Sequence, residues 1–573
     1  MLSKLLKLLG ILDRGDQVKL VLLFIMTIVA MGLEVISIIA ILPVIREFLS
    51  SEQKFNFLSD INFFQSYDLI YVAIFIFITA HLLKFLYLFF FYFVKNEFVN
   101  NLSAKLTSRL FSDYLFKNYE FHTKKKTSVL IRNLISEIKL LCSTFIAPVF
   151  VLIIETTVII GIVIFLFMYD RDISLFVGVG FTFLIIVYSL AVKKKFLNWG
   201  KSRQELNNKS LRLCLDGLSG IKDIMIYHKE NFFREKFKIN EFKFSRISTL
   251  YGTFQQLPRL VFEFIVIFFL IFLVFFLKLQ GLPNEEILET VAIFGVASIR
   301  FIPSASRILG SFQQLRFGIP ALNTILNENI LKNKYYDNLS KDREKNIGYQ
   351  FKDNINFKDI EFSYQGKKDN IIFENLNLEI KKKEIIGIFG PSGSGKSTFA
   401  DLLSGLLIPS SGSIFLDGKN VIDNPYILNA IFAYVPQTVY LLNDTIKNNI
   451  TFGEIADEER LEKAIQLAQL STFIKKTING VETIVGERGT MLSGGQIQRI
   501  GIARAIYHES EILIFDESTN ALDLKSENNI IEEIKELKNS KTIIVISHKL
   551  STLSICDKVY ELKDRKLDLK KSY

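Results

Sequence analysis

Long apolar runs occupy the first half of the chain and stop near residue 310. Six of these runs are long enough to cross the roughly 30 Å hydrocarbon layer of a membrane, which takes about 20 helical residues. They lie at residues 18–44, 69–94, 141–169, 173–192, 258–277 and 286–306. The pattern predicts a polytopic α-helical membrane domain with six transmembrane helices.

The loops between the apolar runs differ in charge. The loop at 95–140 carries nine Lys and Arg and the loop at 193–257 carries fourteen, whereas the other three loops carry four in all. Loops rich in Lys and Arg stay on the cytoplasmic side of a membrane. We therefore expect both basic loops and both chain termini to be cytoplasmic.

The two basic loops are also too long to be plain connections. Their apolar residues recur at helical spacing, as at Phe98, Leu102 and Leu106. The transmembrane helices are therefore expected to continue far into the cytosol, with breaks near 122–127 and 217–220.

After residue 330 the pattern changes. Residues 331–350 are charged and lack periodicity, which is typical of a linker. Short apolar runs then alternate with helical stretches, which predicts an α/β domain with a largely parallel sheet. We divide the chain into a transmembrane domain (1–330), a linker (331–350) and an α/β domain (351–573).

Composition narrows the class of protein. Of the 573 residues 49% are hydrophobic, and the mean hydropathy is +0.29, which excludes a purely soluble or disordered chain. The net charge of +10 fits basic cytoplasmic loops, so no nucleic-acid partner is expected. Three scattered cysteines argue against a disulfide framework or a structural zinc site.

A phosphate-binding loop follows the apolar run at 384–389. Residues 390–398 read GPSGSGKST, which fits GxxxxGK[ST], and a helical run at 399–407 comes next. Backbone N–H groups of such a loop wrap the phosphates of ATP, while Lys396 reaches the β- and γ-phosphates and Ser397 binds Mg²⁺. The residues expected to hold the nucleotide are Gly390, Ser392, Gly393, Ser394, Gly395, Lys396, Ser397 and Thr398.

Two carboxylates end an apolar strand about 120 residues later. Asp516 is expected to hold Mg²⁺ through water, and Glu517 to polarise the water that attacks the γ-phosphate. The phosphate loop and this strand together predict an ATP-hydrolysing site with Mg²⁺ as its metal.

A second anion cradle opens the basic helical stretch at 494–507. Its sequence is LSGGQ, with Ser493, Gly494, Gly495 and Gln496 at the start of the helix. One nucleotide needs only one phosphate loop, so this cradle is expected to close on a nucleotide held by another subunit.

These motifs resemble the nucleotide-binding domain of the ABC superfamily, in which LSGGQ is the signature. The resemblance implies that Tyr364 stacks on adenine and that Gln437, the Q-loop residue, contacts Mg²⁺. It further implies that His548 contacts the γ-phosphate and belongs to the catalytic set with Glu517.

The resemblance extends to two further motifs. Residues 486–489 resemble the x-loop of exporters, and Asp523 matches the D-loop. Asn520 stands where the family usually has Ser, which affects only the fine contact between subunits.

Six spans followed by one ABC domain is the layout of an ABC exporter half-transporter. The resemblance implies a homodimer with two ATP sites, each built from the phosphate loop of one chain and the signature of the other. It also implies a multi-pass protein of the bacterial inner membrane that couples ATP hydrolysis to transport.

Three cations lie within or beside the predicted spans, where charges are costly and often functional. Lys84, Arg300 and Arg307 could form a belt in a central cavity that binds a phosphate or pyrophosphate headgroup. The alternative is that they neutralise the carboxylates within the spans, which are Glu34, Glu155 and Glu263.

The outer loop at 46–67 is unusually apolar. It would suit a helix that lies on the outer leaflet. Packing onto the ends of the first two spans would explain it equally well.

Within the exporters, the chain is similar to bacterial flippases of lipid-linked oligosaccharides. The similar stretches are PRLVFE at 258–263, RFIPSASRI at 300–308, YLLNDTIKNNITFG at 440–453 and CDKVYELKDRKL at 556–567. The resemblance implies that a polyprenyl-pyrophosphate-linked oligosaccharide is turned from the inner to the outer leaflet among membrane lipids. The alternative cargo is a hydrophobic drug, a simple lipid or a peptide.

Overall fold

The computed structural model describes residues 10, 12–39, 69–328, 351–364, 371–422, 424, 426–517, 531–532 and 534–572. The chain divides into two compact units. The first comprises Met1–Phe116 and Lys125–Tyr336, and the second comprises Lys117–Lys124 and Asp337–Tyr573. The expected linker at 331–350 and the outer loop at 46–67 lie outside the described residues.

The first unit is built from helices. They are α1 Arg14–Ile39, α2 Leu69–Phe116, α4 Thr127–Tyr169, α5 Arg171–Ser219, α6 Ile221–Ile226, α7 Glu230–Leu279 and α8 Asn284–Asn327. The short helix α3, Tyr119–Lys124, belongs to the second unit. Two π-helical turns interrupt α4, at Asn133–Glu137 and Cys142–Ile146.

The predicted helical membrane domain is confirmed. Within the described residues, five segments are long and apolar enough to cross a membrane: Arg14–Glu34, Ile74–Phe116, Thr127–Tyr169, Glu230–Leu279 and Asn284–Asn327. The predicted span at 173–192 falls inside α5, which is one continuous helix of 49 residues.

The helices also extend beyond a membrane thickness, as expected. Helix α2 has 48 residues, and at about 1.5 Å per residue this is roughly 72 Å, more than twice the hydrocarbon layer. Both expected breaks occur. The first lies between Phe116 and Thr127, and the second follows Ser219, where Gly220 separates α5 from α6.

The second unit contains two sheets. Its strands are β1 Asn354–Ser363, β2 Ile371–Lys381, β3 Ile385–Phe389, β4 Ser411–Leu416, β5 Lys419–Asn420, β6 Phe432–Val435, β7 Ile512–Asp516, β8 Thr542–Ile546, β9 Lys558–Lys563 and β10 Lys566–Ser572. An antiparallel sheet has the order β2-β1-β4-β5, and a six-stranded sheet has the order β10-β9-β3-β8-β7-β6. In the larger sheet only β10 runs antiparallel to its neighbour.

Helices flank these strands: α9 Lys396–Leu403, α10 Tyr426–Ile431, α11 Ile446–Thr451, α12 Glu458–Leu467, α13 Ser471–Ile474, α14 Gly494–Tyr507 and α15 Leu550–Leu553. Strands β7 and β8 are buried along their whole length, as expected for central parallel strands covered on both faces. The predicted α/β domain with a largely parallel sheet is confirmed.

A close crossing of α5 and α8 holds these two long helices together near residues 200 and 317. A Cβ atom added to Gly200 would lie 2.3 Å from the carbonyl oxygen of Phe317. Beside this contact the rings of Tyr251 and Phe317 stack with centroids 4.0 Å apart. Since protein interiors are close-packed, the two backbones can meet here only because residue 200 has no side chain.

We expect Gly200→Ala to destabilise the first unit by about 1–3 kcal/mol, because the added methyl overpacks a contact with backbone. Trp199 is the only tryptophan and lies beside this crossing, so its fluorescence during thermal unfolding of the purified chain reports the change. Gly252→Ala is the control, since no atom lies within 4 Å of the added Cβ. An unfolding midpoint that is equal for Gly200→Ala and Gly252→Ala would contradict the prediction.

Candidate functional site

The parallel register of three strands brings distant motifs to one edge of the sheet. Ile388 of β3 and Asp516 of β7 both pair with Ile546 of β8. The three strands therefore end at the same level, and the residues that follow them emerge side by side. In open α/β sheets ligands bind at this carboxyl edge.

The phosphate loop leaves β3 and enters α9. Gly395, which precedes the helix, has φ +99°, a conformation that favours glycine. A Cβ added there would lie 2.9 Å from Ile372 Cγ2, and one added to Gly390 would lie 2.3 Å from the Leu562 carbonyl oxygen. These two glycines thus allow the tight path that exposes backbone N–H groups to an anion.

Lys396 is held by the loop itself. Its Nζ donates to the carbonyl oxygens of Gly390 and Pro391, at 3.0 and 3.1 Å, and its side chain is buried. The ammonium group therefore lies within the concave face of the loop, where it can meet phosphate oxygens.

Asp516 is buried opposite this loop. Its Oδ2 accepts a hydrogen bond of 2.8 Å from the hydroxyl of Tyr434, and the hydroxyl of Ser397 also bonds to it. Burial raises the pKa of Asp516 above its ordinary value. No sequence signal pointed to Tyr434, because it reaches Asp516 only through the pairing of β6 with β7.

Glu517 joins two predicted residues from other parts of the chain. Gln437 Nε2 donates to its Oε2 at 2.9 Å, and His548 Nε2 lies 3.0 Å from its Oε1. Glu517 has φ +47°, which is unusual for a residue with a side chain and occurs preferentially at functional sites. The predicted catalytic residues Glu517 and His548 are therefore in direct contact.

Carboxylates outnumber cations around the loop. Burial and the charge of Asp516 raise the pKa of Asp401, on α9, to about 6. A divalent cation would offset the negative charge, and the hydroxyl of Ser397, the amide of Gln437 and the carboxylate of Asp516 are the oxygen ligands that Mg²⁺ prefers. The residues present thus fit a nucleotide bound together with Mg²⁺.

These residues line one cavity of about 700 Å³. Ser392–Thr398, Gln437, Asp516, Glu517 and His548 line it, together with Ile371, Ile372, Asp564 and Arg565. Asp564 and Arg565 form the turn between β9 and β10, and both have positive φ values. No functional role was predicted for these four residues, because their place at the cavity depends on the strand order.

Tyr364 lies beside this cavity. Its hydroxyl is 3.3 Å from Thr398 Oγ1, and its ring meets Phe362 edge-on at 5.0 Å. The expected adenine-stacking residue is therefore next to the phosphate loop.

The signature residues stand apart from the cavity. Ser493 caps α14, accepting a hydrogen bond from Gln496 N, while Gln496 Oε1 accepts from Ser493 N at 2.8 Å. The exposed Ser493 and Gly494 do not belong to the described lining of the cavity. The turn Glu487–Gly489 lies just before them, whereas Asn520 and Asp523 lie outside the described residues.

The membrane cations lie in ion pairs. Glu34 on α1 contacts both Lys84 Nζ, at 2.7 Å, and Arg300 Nη2. Arg307 Nη1 lies 3.0 Å from Glu155 Oε1. These contacts agree with the pairing alternative for Glu34 and Glu155 but not for Glu263, which binds Arg259, at 2.7 Å, one turn earlier on the same helix.

Comparison with known proteins identifies both parts of the chain. Residues 20–283 match the ABC transporter transmembrane region, and residues 373–520 match the ABC transporter family. The ATP-dependent lipid A-core flippase of Escherichia coli (strain K12) is 29% identical over 471 residues, which is 80% of this chain and 78% of the relative. The flippase of the same name from Shigella flexneri gives the same values.

A solved structure shows the same fold over nearly the whole chain. It is that of a bacterial Atm1-family ABC exporter with ATP bound, with a TM-score of 0.77 and 19% sequence identity. The match covers 97% of this chain and 95% of that one. With a helical membrane domain, an ATP-hydrolysing α/β domain and family matches to both, the chain belongs to the ABC transporters and is a half-transporter of that family.

Proposed function

We propose that two copies of this chain form a flippase of the bacterial inner membrane that moves a polyprenyl-pyrophosphate-linked oligosaccharide from the inner to the outer leaflet. The net charge of the ion pairs in the membrane unit supports this choice of cargo. Lys84, Arg300 and Arg307 contact two carboxylates, Glu34 and Glu155, so that one positive charge per chain remains. A phosphate-bearing headgroup supplies the missing negative charge.

The second unit supplies the energy. Lys396 and the loop N–H groups bind the phosphates, Tyr364 stacks on adenine, and Ser397, Asp516 and Gln437 hold Mg²⁺. Bound Mg²⁺ neutralises charge that develops on the phosphates. Glu517 accepts a proton from the attacking water, and His548, 3.0 Å away, orients that carboxylate and reaches the γ-phosphate.

The separation of the signature from the cavity supports a homodimer. Ser493, Gly494, Gly495 and Gln496 present an exposed helix N-terminus, a favourable place for an anion. In the dimer these residues, together with Asp523, close on the nucleotide held by the partner copy. The nucleotide-binding domain and both termini face the cytoplasm, because the longest basic loops do.

A lipid A-like cargo is the second candidate, favoured by the relatives named as lipid A-core flippases. Lipid A is also a glycolipid that carries phosphate, so both cargoes suit the surplus positive charge. A hydrophobic drug, or a lipid or peptide without an anionic group, would not need these cations.

The deciding experiment measures flipping in liposomes that contain the purified dimer. The two arms use a polyprenyl-pyrophosphate oligosaccharide and lipid A-core. ATP-dependent flipping of the first supports the proposal, whereas flipping of lipid A-core alone would replace it with the second candidate.

We expect Glu517→Gln to keep ATP binding while hydrolysis falls by about 10²-fold or more, because the amide cannot accept the proton from water. Binding of a fluorescent ATP analogue and phosphate release measure the two effects. Glu454→Gln is the matched control, since Glu454 also pairs with a histidine, His508 at 3.0 Å, but lies outside the cavity lining. Near-normal turnover of Glu517→Gln would refute its role as the base.

We expect the double variant Arg300→Ala with Arg307→Ala to lose most flipping while basal ATPase activity stays near normal, because the change removes headgroup contacts and leaves the nucleotide cavity intact. Arg171→Ala, an exposed position outside these pairs, is the control. Because Glu155 loses its partner, the thermal unfolding midpoint is recorded alongside. Unchanged flipping in a folded variant would mean that the cations serve only to neutralise carboxylates.

A further inference from the structure

One carboxylate in the membrane unit forms ion pairs with two cations from different helices. Glu34 Oε2 lies 2.7 Å from Lys84 Nζ on α2, and Glu34 Oε1 contacts Arg300 Nη2 on α8. Lys84 Nζ also donates to Ser37 Oγ at 3.1 Å, one turn along α1. We refer to Glu34, Lys84 and Arg300 as the Glu34 triad.

The members of the triad differ in exposure. The side chain of Glu34 is 4% exposed, whereas those of Lys84 and Arg300 are 17% and 24% exposed. Glu34 is therefore the most buried member of the triad, and the two cations are its more accessible members. Among the described residues, the buried Nε of Arg300 has no hydrogen-bond partner.

The charges of the triad do not cancel. Two cations share one anion, which leaves one positive charge, whereas the neighbouring Arg307 and Glu155 balance each other. In a low-dielectric region an unbalanced charge interacts strongly with an incoming anion. The triad is therefore built to accept one further anionic group.

We propose that Glu34 determines the specificity and strength of headgroup binding: it positions Lys84 and Arg300 for a phosphate-bearing lipid headgroup and cancels one of their two charges. A transporter must bind its cargo tightly enough to load it and weakly enough to release it. Without Glu34 the two cations would hold a pyrophosphate too firmly. This role rests on the proposed function, because it presumes a phosphate-bearing cargo.

The test compares Glu34→Gln with the wild-type dimer in liposomes, with a polyprenyl pyrophosphate and a polyprenyl monophosphate as lipids. The half-maximal concentration for ATPase stimulation should fall by about tenfold for the pyrophosphate and less for the monophosphate, since one more positive charge faces the headgroup. Flipping of the pyrophosphate lipid should slow because release becomes harder. A purely structural role would not change the ratio between the two lipids.

A double variant and a control variant keep the test decisive if Glu34→Gln folds poorly. Glu34→Gln with Lys84→Met removes one anion and one cation, restores the net charge of the triad, and should return the lipid ratio toward wild type. Asp16→Asn is the matched control. Asp16 is a buried carboxylate 18 residues earlier on α1, paired with Lys105 at 2.5 Å, and about five helical turns or 27 Å from Glu34.

The outcomes separate this inference from the proposed function. If polyprenyl pyrophosphate neither stimulates the wild type nor is flipped, the proposed function and this inference both fall. If the wild type responds but Glu34→Gln shows the wild-type lipid ratio, only this inference is overturned. Stimulation by inorganic pyrophosphate equal to that by the lipid would overturn the assignment to a lipid headgroup.

Discussion

The register of three parallel strands is the constraint on which the nucleotide cavity depends. Because β3 and β7 both align with Ile546 of β8, the phosphate loop, the two carboxylates and His548 leave the sheet at one level. A slip of one residue in β7 would turn each of its side chains to the opposite face. It would take Asp516 away from Tyr434 and Glu517 away from Gln437 and His548. The catalytic contacts are thus a property of the sheet, and the hydrogen bonds between side chains refine them.

A comparable constraint acts in the membrane unit, where a buried charge is stable only with a partner. The partners of two buried carboxylates come from other helices: Glu34 on α1 meets α2 and α8, and Glu155 on α4 meets α8. The ion pairs therefore tie the last helix to two others while they hold cations in defined positions. An ion pair can hold a cation in place and still leave it accessible. The side chain of Arg307 is 41% exposed, whereas that of its partner Glu155 is only 3% exposed.

The sequence predicted what depends on neighbouring residues. The helical membrane domain, the long helical extensions, both helix breaks and the phosphate loop follow from local hydropathy, spacing and composition. Of the six predicted spans, five coincide with segments of the described residues that are apolar enough to cross a membrane, and the one at 173–192 lies within α5. Most contacts made across long separations could not be predicted, although the pairing of the membrane cations with Glu34 and Glu155 was one of the two alternatives. Tyr434 reaches Asp516 through strand pairing, Arg565 reaches the cavity through strand order, and Glu263 binds Arg259 instead of a cation on another helix. Each of these contacts depends on which faces of the helices or strands meet. The tertiary fold determines those faces, and they cannot be derived from a single sequence.

The two units carry different information about function. In the proposed mechanism the residues around Lys396 and Glu517 act on the phosphates of ATP, and that chemistry would be the same whatever the membrane unit transports. Discrimination between cargoes must therefore come from side chains of the helical unit. There, under the proposed function, the surplus charge of the Glu34 triad would favour phosphate-bearing lipids over neutral cargoes, but it would not by itself separate one phosphate-bearing glycolipid from another. For a glycolipid cargo that separation would require side chains that contact the carbohydrate and the lipid chain, so a change in cargo between related transporters would need no change in the nucleotide cavity.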